Sequence, residues 1–190
     1  MNGIKFDRAA DIIKNCENKK IAVIGDIMLD RFFWGAVSRV SPEAPVPVVD
    51  LENETYHLGG AANVANNLKS LGINAMLCGV LGNDEAGLIF KKIIEEKGIA
   101  SEGLFFEIGR PTTVKTRIIG NNQHIARLDK EARDFINQEI EKYFIDFIQN
   151  QENLAGIIFG DYDKGAITRN LISQVISNAN KRNIPVFVDP

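Results

Sequence analysis

Along this chain, short unbroken apolar runs alternate with stretches whose apolar positions recur every three or four residues. The runs are Ile21-Ala22-Val23-Ile24, 75–80, 103–106, 155–159 and 185–189. Each is too short for a helix and lacks a polar face, which predicts strands covered on both sides in a parallel sheet. Between the runs, Gly59-Gly60 opens a predicted helix over about 61–71, with Val64, Leu68 and Leu71 on one face and Gly72 as a left-handed C-terminal cap. A second begins at Asp84 and runs to about Lys97, with Ile89, Phe90, Ile93 and Ile94 inward and Gly98 at its end. Residues 5–17 carry Ala9, Ile12, Ile13 and Cys16 at helical spacing and predict a leading amphipathic helix. Strands alternating with helices imply βαβ units and an α/β fold.

Two stretches break the alternation. Residues 32–58 and 112–128 mix β-branched residues, prolines and alternating polar positions, the pattern of antiparallel ribbons with one wet face. They predict one small accessory sheet. In the second, Gly120-Asn121-Asn122 makes a turn between two short strands, and Lys115 and Arg117, two apart, project from the same face. The last residues, Val188-Asp189-Pro190, fall where a parallel strand leaves a sheet for its ligand-binding edge, so the C-terminal part of the fold is expected beyond them.

Composition narrows the function classes. The 190 residues are 45% hydrophobic and 25% charged with a net charge of −3, which offers no basic field for nucleic acid or an anionic membrane. A chain of this size builds a core without disulfides, so Cys16 and Cys78 are expected as free thiols, and with only His57 and His124 beside them they have no metal-ligand spacing. There is no signal-like start and no apolar run of the ~18 residues a membrane span needs, so a cytoplasmic protein is expected.

No Gly-x4-Gly-Lys-[Ser/Thr] loop occurs, and Gly25-Asp26-Ile27-Met28-Leu29-Asp30 lacks the later glycines of a dinucleotide fingerprint. Instead the first strand delivers Asp26 and Asp30 toward the carboxyl edge of the sheet, where carboxylates suit hydroxyl recognition or cap a following turn. Gly59-Gly60 before a helix lets backbone N–H groups approach a ligand, with Asn63 on the first turn. Ser41-Pro42-Glu43-Ala44-Pro45-Val46-Pro47 reads as a rigid extended segment that fixes Glu43. Lys115, Arg117 and Arg127 are candidates to clamp a phosphate or a solvated charged face. Gly160-Asp161-Tyr162-Asp163-Lys164-Gly165 follows a buried strand, and an acid near a lysine there suits phosphoryl chemistry or a surface turn.

Five segments, Gly25-Asp26 to Leu29-Asp30-Arg31, Ser38 to Pro47, Gly59 to Ala65, Arg127-Leu128-Asp129, and Asp161-Tyr162 to Lys164-Gly165, together resemble the ribokinase-like (PfkB) carbohydrate kinases. Within that family the proline-rich segment is most similar to the bacterial heptose 7-phosphate kinases. The resemblance covers about 20–190. It implies a three-layer α/β/α sandwich with a mainly parallel sheet and a β-sheet lid that commonly forms a homodimer. It also implies transfer of the ATP γ-phosphoryl to the C1 hydroxyl of heptose 7-phosphate, with ATP and Mg2+, in ADP-heptose and lipopolysaccharide core synthesis. By the same resemblance Asp30, Arg31, Gly59, Gly60 and Asn63 contact the sugar, Glu43, Lys115, Arg117 and Arg127 lie on the lid with the basic ones near the 7-phosphate, and Asp161 and Lys164 approach the transferring phosphoryl group. Family members carry a Gly-Ala-Gly-Asp motif with the catalytic base and most of the ATP site at positions beyond Pro190. The 190 residues alone are therefore expected to be inactive. Another ribokinase-like sugar-phosphate kinase, or a sugar-phosphate-binding or dimerisation fragment, are the alternatives.

Overall fold

The computed structural model describes residues 6–17 and 19–189. The five apolar runs form one parallel sheet, sheet A, from β1 (Lys20–Gly25), β4 (Asn74–Gly82), β5 (Ala100–Glu107), β8 (Leu154–Gly160) and β9 (Val186–Asp189), in the order β5-β4-β1-β8-β9. Alternate residues of its central strands feed two cores. Ala22, Ile24, Met76, Cys78 and Phe159 face α4 (Gln138–Gln149) and α5 (Arg169–Lys181), which bury Ile140, Phe144, Ile148, Leu171 and Val175. Val23 and Leu77 face the opposite layer, where α2 (Ala61–Ser70) and α3 (Glu85–Glu96) bury Ala61, Ala62, Ala65, Phe90 and Ile94. Helices on both faces of a parallel sheet give the three layers the sequence predicts.

The helix ends follow the predicted signals. Asp84 caps α3 by accepting the Gly87 N–H at 3.0 Å, and Gly72 and Gly98 adopt φ of 79° and 60° after α2 and α3. The face of α2 differs from expectation. Its buried residues are the three alanines, while Val64 and Leu68 are only half-buried and Leu71 is exposed. Small side chains are what this helix needs, because its start lies against bare backbone: a Cβ on Gly160 would stand 3.1 Å from the Ala61 Cβ. The leading helix, α1 (Phe6–Cys16), is present, although its first predicted residue, 5, lies outside the described residues, and it buries none of its side chains.

Sheet B is the accessory sheet, ordered β3-β2-β6-β7. Its strands β2 (Ile27–Val40) and β3 (Pro47–Gly60) form one long antiparallel hairpin, and β6 (Val114–Gly120) and β7 (Gln123–Lys130) a shorter one. Three expectations are corrected. The ribbons are joined by a parallel β2–β6 pairing, so the sheet is mixed, and β2 begins one residue after Asp26 instead of near residue 32. The proline-rich 41–46 is no ribbon strand but the exposed connection at the far tip of the first hairpin. The second hairpin turns at Asn121 and Asn122, with φ of 51° and 63°, as a two-residue connection requires. The Asn121 side chain then accepts from the Val37 N–H at 3.1 Å and donates to its carbonyl at 3.0 Å, tying the two hairpins together.

Candidate active site

The first strand runs out at Gly25, and Asp26 joins it to the lid. Asp26 is 2% exposed and its carboxylate accepts three backbone N–H groups, from Tyr162 at 2.8 Å, Lys164 at 3.0 Å and Ala166 at 2.9 Å. Its carbonyl accepts the Ala61 N–H at 3.0 Å. Of the two readings open for this residue, the anchoring of a turn is the one the structure supports. Asp26 hangs the 161–166 loop from the start of the lid and beside the start of α2.

Asp30 lies four residues on, in β2. Cross-strand partners share a face, so the register places Asp30, His57, Lys115 and Asp129 in one row and Phe32, Thr55, Arg117 and Arg127 in the next. Arg117 Nη1 donates to Asp30 Oδ1 at 2.5 Å, and its guanidinium lies 5.1 Å from the Phe32 ring centre. The Oδ2 oxygen of Asp30 accepts no hydrogen bond from the described residues and lies over Gly59, whose Cβ, if it had one, would stand 2.6 Å away. Gly60 takes φ 55° at the start of α2, and a Cβ there would meet the Asp26 carbonyl at 2.3 Å and the Tyr162 ring at 3.3 Å. The two glycines therefore let Asp26, Asp30 and Tyr162 converge. Asn63 is exposed on the first turn of α2, with no side-chain partner among the described residues.

The cations on this face differ in their state. Arg127 is half exposed and forks onto Asp129 at 2.9 and 3.0 Å. Arg117 is held by Asp30. Lys115, between Asp30 and Asp129 in the register, has no ion pair among the described residues. Two sequence candidates fall elsewhere. Arg31 has the opposite parity to Asp30, so it lies on the other face of sheet B, paired with Glu54 and packed 4.3 Å from the Phe33 ring centre. Glu43 lies three residues past Val40, the last residue of β2, which is itself ten residues from Asp30, about 33 Å in an extended strand.

At the sheet edge, Asp161 Oδ1 accepts the Asp163 N–H at 3.2 Å and the Asp161 N–H donates to the Asp189 carbonyl at 3.0 Å. Tyr162, which sequence reasoning passed over within its own motif, donates its hydroxyl to Asp189 Oδ2 at 2.6 Å. Burial, then that hydrogen bond and the Asp189 and Asp26 charges, push its phenol up to about 12. The Lys164 ammonium is turned into the protein, 10% exposed and 3.2 Å from Glu131 Oε1. No cluster of three metal-ligating side chains occurs among the described residues. Mg2+ takes many of its ligands from phosphates and water, and the second carboxylate oxygen of Asp161 is a suitable single protein ligand.

This arrangement offers hydroxyl acceptors and phosphate-seeking cations on one lid face, beside a loop with an acid and a lysine. Comparison with known proteins gives the family and the fold. Residues 18–190 match the profile of the pfkB family carbohydrate kinases. A protein of Helicobacter pylori named Bifunctional protein HldE is 45% identical over 173 residues, which are 90% of this chain and 37% of that protein. The chain thus spans little more than a third of that relative. Phosphofructokinase-2 from Escherichia coli, solved in complex with fructose-6-phosphate, superposes with a TM-score of 0.67 at 15% identity, over 91% of this chain and 55% of its own. The ribokinase of Arabidopsis thaliana, solved with ribose and ATP, does so with a TM-score of 0.64 at 14% identity, over 92% and 54%. At such identities these two show the fold.

Proposed function

The chain belongs to the pfkB family of carbohydrate kinases, and from that premise we propose that the full-length protein transfers the ATP γ-phosphoryl group to the C1 hydroxyl of heptose 7-phosphate. Such a step would supply ADP-heptose for lipopolysaccharide core synthesis, in the cytoplasm where ATP is abundant. The 45% identity to a protein named Bifunctional protein HldE supports this choice of sugar within the family, as does the likeness of the proline-rich segment to the heptose 7-phosphate kinases.

One observation carries the reading: Asp30, with one oxygen open above Gly59, shares the inner lid face with Lys115, Arg117 and Arg127. A carboxylate accepts from two hydroxyls at once, and N–H groups at the start of α2 meet hydroxyl oxygens. Asp30, Gly59, Gly60 and Asn63 then orient the sugar ring. Lys115, without an ion pair among the described residues, is the first cation to meet the 7-phosphate, with Arg117 and Arg127 adding charge along the same face. Asp161 and Lys164 flank the incoming phosphoryl group. Bound Mg2+ would neutralise charge on the ATP phosphates, with Asp161 as its protein ligand. Holding both substrates in line is most of what such an enzyme must do. The opposite lid face leaves Leu128 and, near the hairpin tip, Leu51 exposed, and we infer that the lid pairs with a second copy.

The test is competition among phosphorylated and unphosphorylated sugars in a coupled ADP assay on the full-length protein. Preference for heptose 7-phosphate is expected. Preference for another sugar phosphate would leave the fold's chemistry intact and reassign the substrate.

A further inference from the structure

Glu131 was not singled out by any motif, yet its surroundings are unusual. It is the residue immediately after β7, where the lid returns to the body of the protein. Its Oε1 lies 3.2 Å from Lys164 Nζ and accepts from Arg133 Nε and Nη2, both at 3.1 Å. Its Oε2 is buried and accepts nothing from the described residues. Burial pushes this carboxyl up, but hydrogen bonds from Arg133 and Lys164 outweigh it and leave the group lowered and ionised.

The backbone around Lys164 is fixed independently. Its N–H donates to Asp26, its carbonyl accepts from Arg110 Nη1 at 3.3 Å, and the next residue, Gly165, takes φ 82° where any Cβ would clash with the Asp134 carbonyl. What remains free is the long side chain, whose many rotamers oppose holding the ammonium in any one place. Only Glu131 fixes where the ammonium sits, since it is the sole carboxylate paired with it among the described residues. A purely structural buried pair satisfies all of its atoms, because an unmet buried acceptor is costly. Here one carboxylate oxygen is unmet, and Glu131 accounts for only one of the three ammonium N–H donors. The adjacent Lys130 is pinned as well, to Asp84 at 3.0 Å, so consecutive residues join the lid exit to α3 and to the 161–166 loop.

We propose that Glu131 is a positioning residue: it holds the Lys164 ammonium at the carboxyl edge of sheet A in a place set by the lid exit, so that lid seating and phosphoryl-group contact are coupled. This rests on the kinase reading above. In that reading the ammonium's remaining donors serve the transferring phosphoryl group, and the open Oε2 accepts a donor brought by bound substrate or its water.

The test uses the full-length protein with the sugar its wild-type form turns over best. Glu131→Gln is expected to lower kcat about 10- to 100-fold, the scale of a misplaced catalytic contact, with sugar KM little changed and the melting temperature retained. Glu131→Asp should restore part of the rate. Combining Glu131→Gln with Lys164→Met should be no worse than Lys164→Met alone, as coupled residues require. A kcat unchanged in Glu131→Gln, losses that multiply in the double variant, or unfolding of both Glu131→Gln and Lys164→Met would overturn the proposal. Absence of turnover by the wild type with every sugar and ATP would overturn the kinase reading itself, before any variant is compared.

Discussion

Asp26 and Asp30 are both carboxylates near the end of the first strand, and their surroundings give them opposite tasks. Asp26 is buried with three backbone donors on it, so Asp26→Asn should loosen the 161–166 loop and cost about 3 kcal/mol of folding stability, read by denaturant unfolding. Asp30 keeps an oxygen open beside bare glycine backbone. Asp30→Asn in the full-length protein should weaken sugar binding about 10- to 100-fold by calorimetry, the worth of a hydrogen bond to a charged group, without shifting the melting temperature. The neighbouring glycines separate in the same way. A Cβ at Gly60 meets backbone and strains a positive φ, so Gly60→Ala should destabilise the fold by about 1–3 kcal/mol. A Cβ at Gly59 meets only the Asp30 and Met28 side chains, which can shift, so Gly59→Ala should weaken sugar binding more than it weakens the fold. Unchanged affinity in both Asp30→Asn and Gly59→Ala would remove this corner from the site.

Among the elements, the lid depends on how its two hairpins are fastened. The β4–α3 turn holds the second hairpin at both ends: Asp84 Oδ2 accepts the Thr112 N–H at 3.2 Å and the Lys130 ammonium at 3.0 Å while Oδ1 caps α3. Burial raises the Asp84 carboxyl, but hydrogen bonds from Thr112, Lys130 and the Gly87 amide prevail and lower it to about 2. A carboxyl lowered on folding stabilises the native state above its unfolded pKa, and that contribution is lost as pH falls from about 4 toward 2. Asp84→Ala should cost about 1–2 kcal/mol at neutral pH and flatten the acid limb of the stability curve over that window. The elements themselves were largely legible. All five sheet A strands, both signalled helix ends and the Asn121-Asn122 turn lie where local periodicity and turn chemistry put them, because those are local properties. The lid was legible as a sheet but not in its pairing. That β2 starts at Ile27, that β6 joins it in parallel, and that the prolines make a hairpin tip all depend on contacts distant in sequence. Arg31, adjacent to Asp30 in sequence, lies on the opposite face of sheet B, because neighbouring strand residues alternate faces. Glu131 carried no local signal; its meaning comes from Lys164, 33 residues away.

Over the whole molecule, two cores clamp sheet A between helices while sheet B stands off its carboxyl edge, joined to it through Asp26 and the two glycines. That is the disposition of a platform with an overlying sheet, which carries Asp30, Lys115, Arg117 and Arg127 on one face, while Asp26 anchors the 161–166 loop at the carboxyl edge of sheet A. The full-length protein is the object on which its chemistry must be measured, since this chain spans 37% of the curated relative. Phosphate recognition by Lys115, Arg117 and Arg127 is the central claim, and the direct measurement is kcat/KM for heptose 7-phosphate against unphosphorylated heptose, with ATP and Mg2+ and the product's phosphate position assigned by NMR. A preference of about 100-fold or more for the 7-phosphate, the discrimination expected when a polar site loses its charged partner, with the new phosphate at C1, is the predicted result. Equal turnover of both sugars, or phosphorylation elsewhere than at C1, would contradict it.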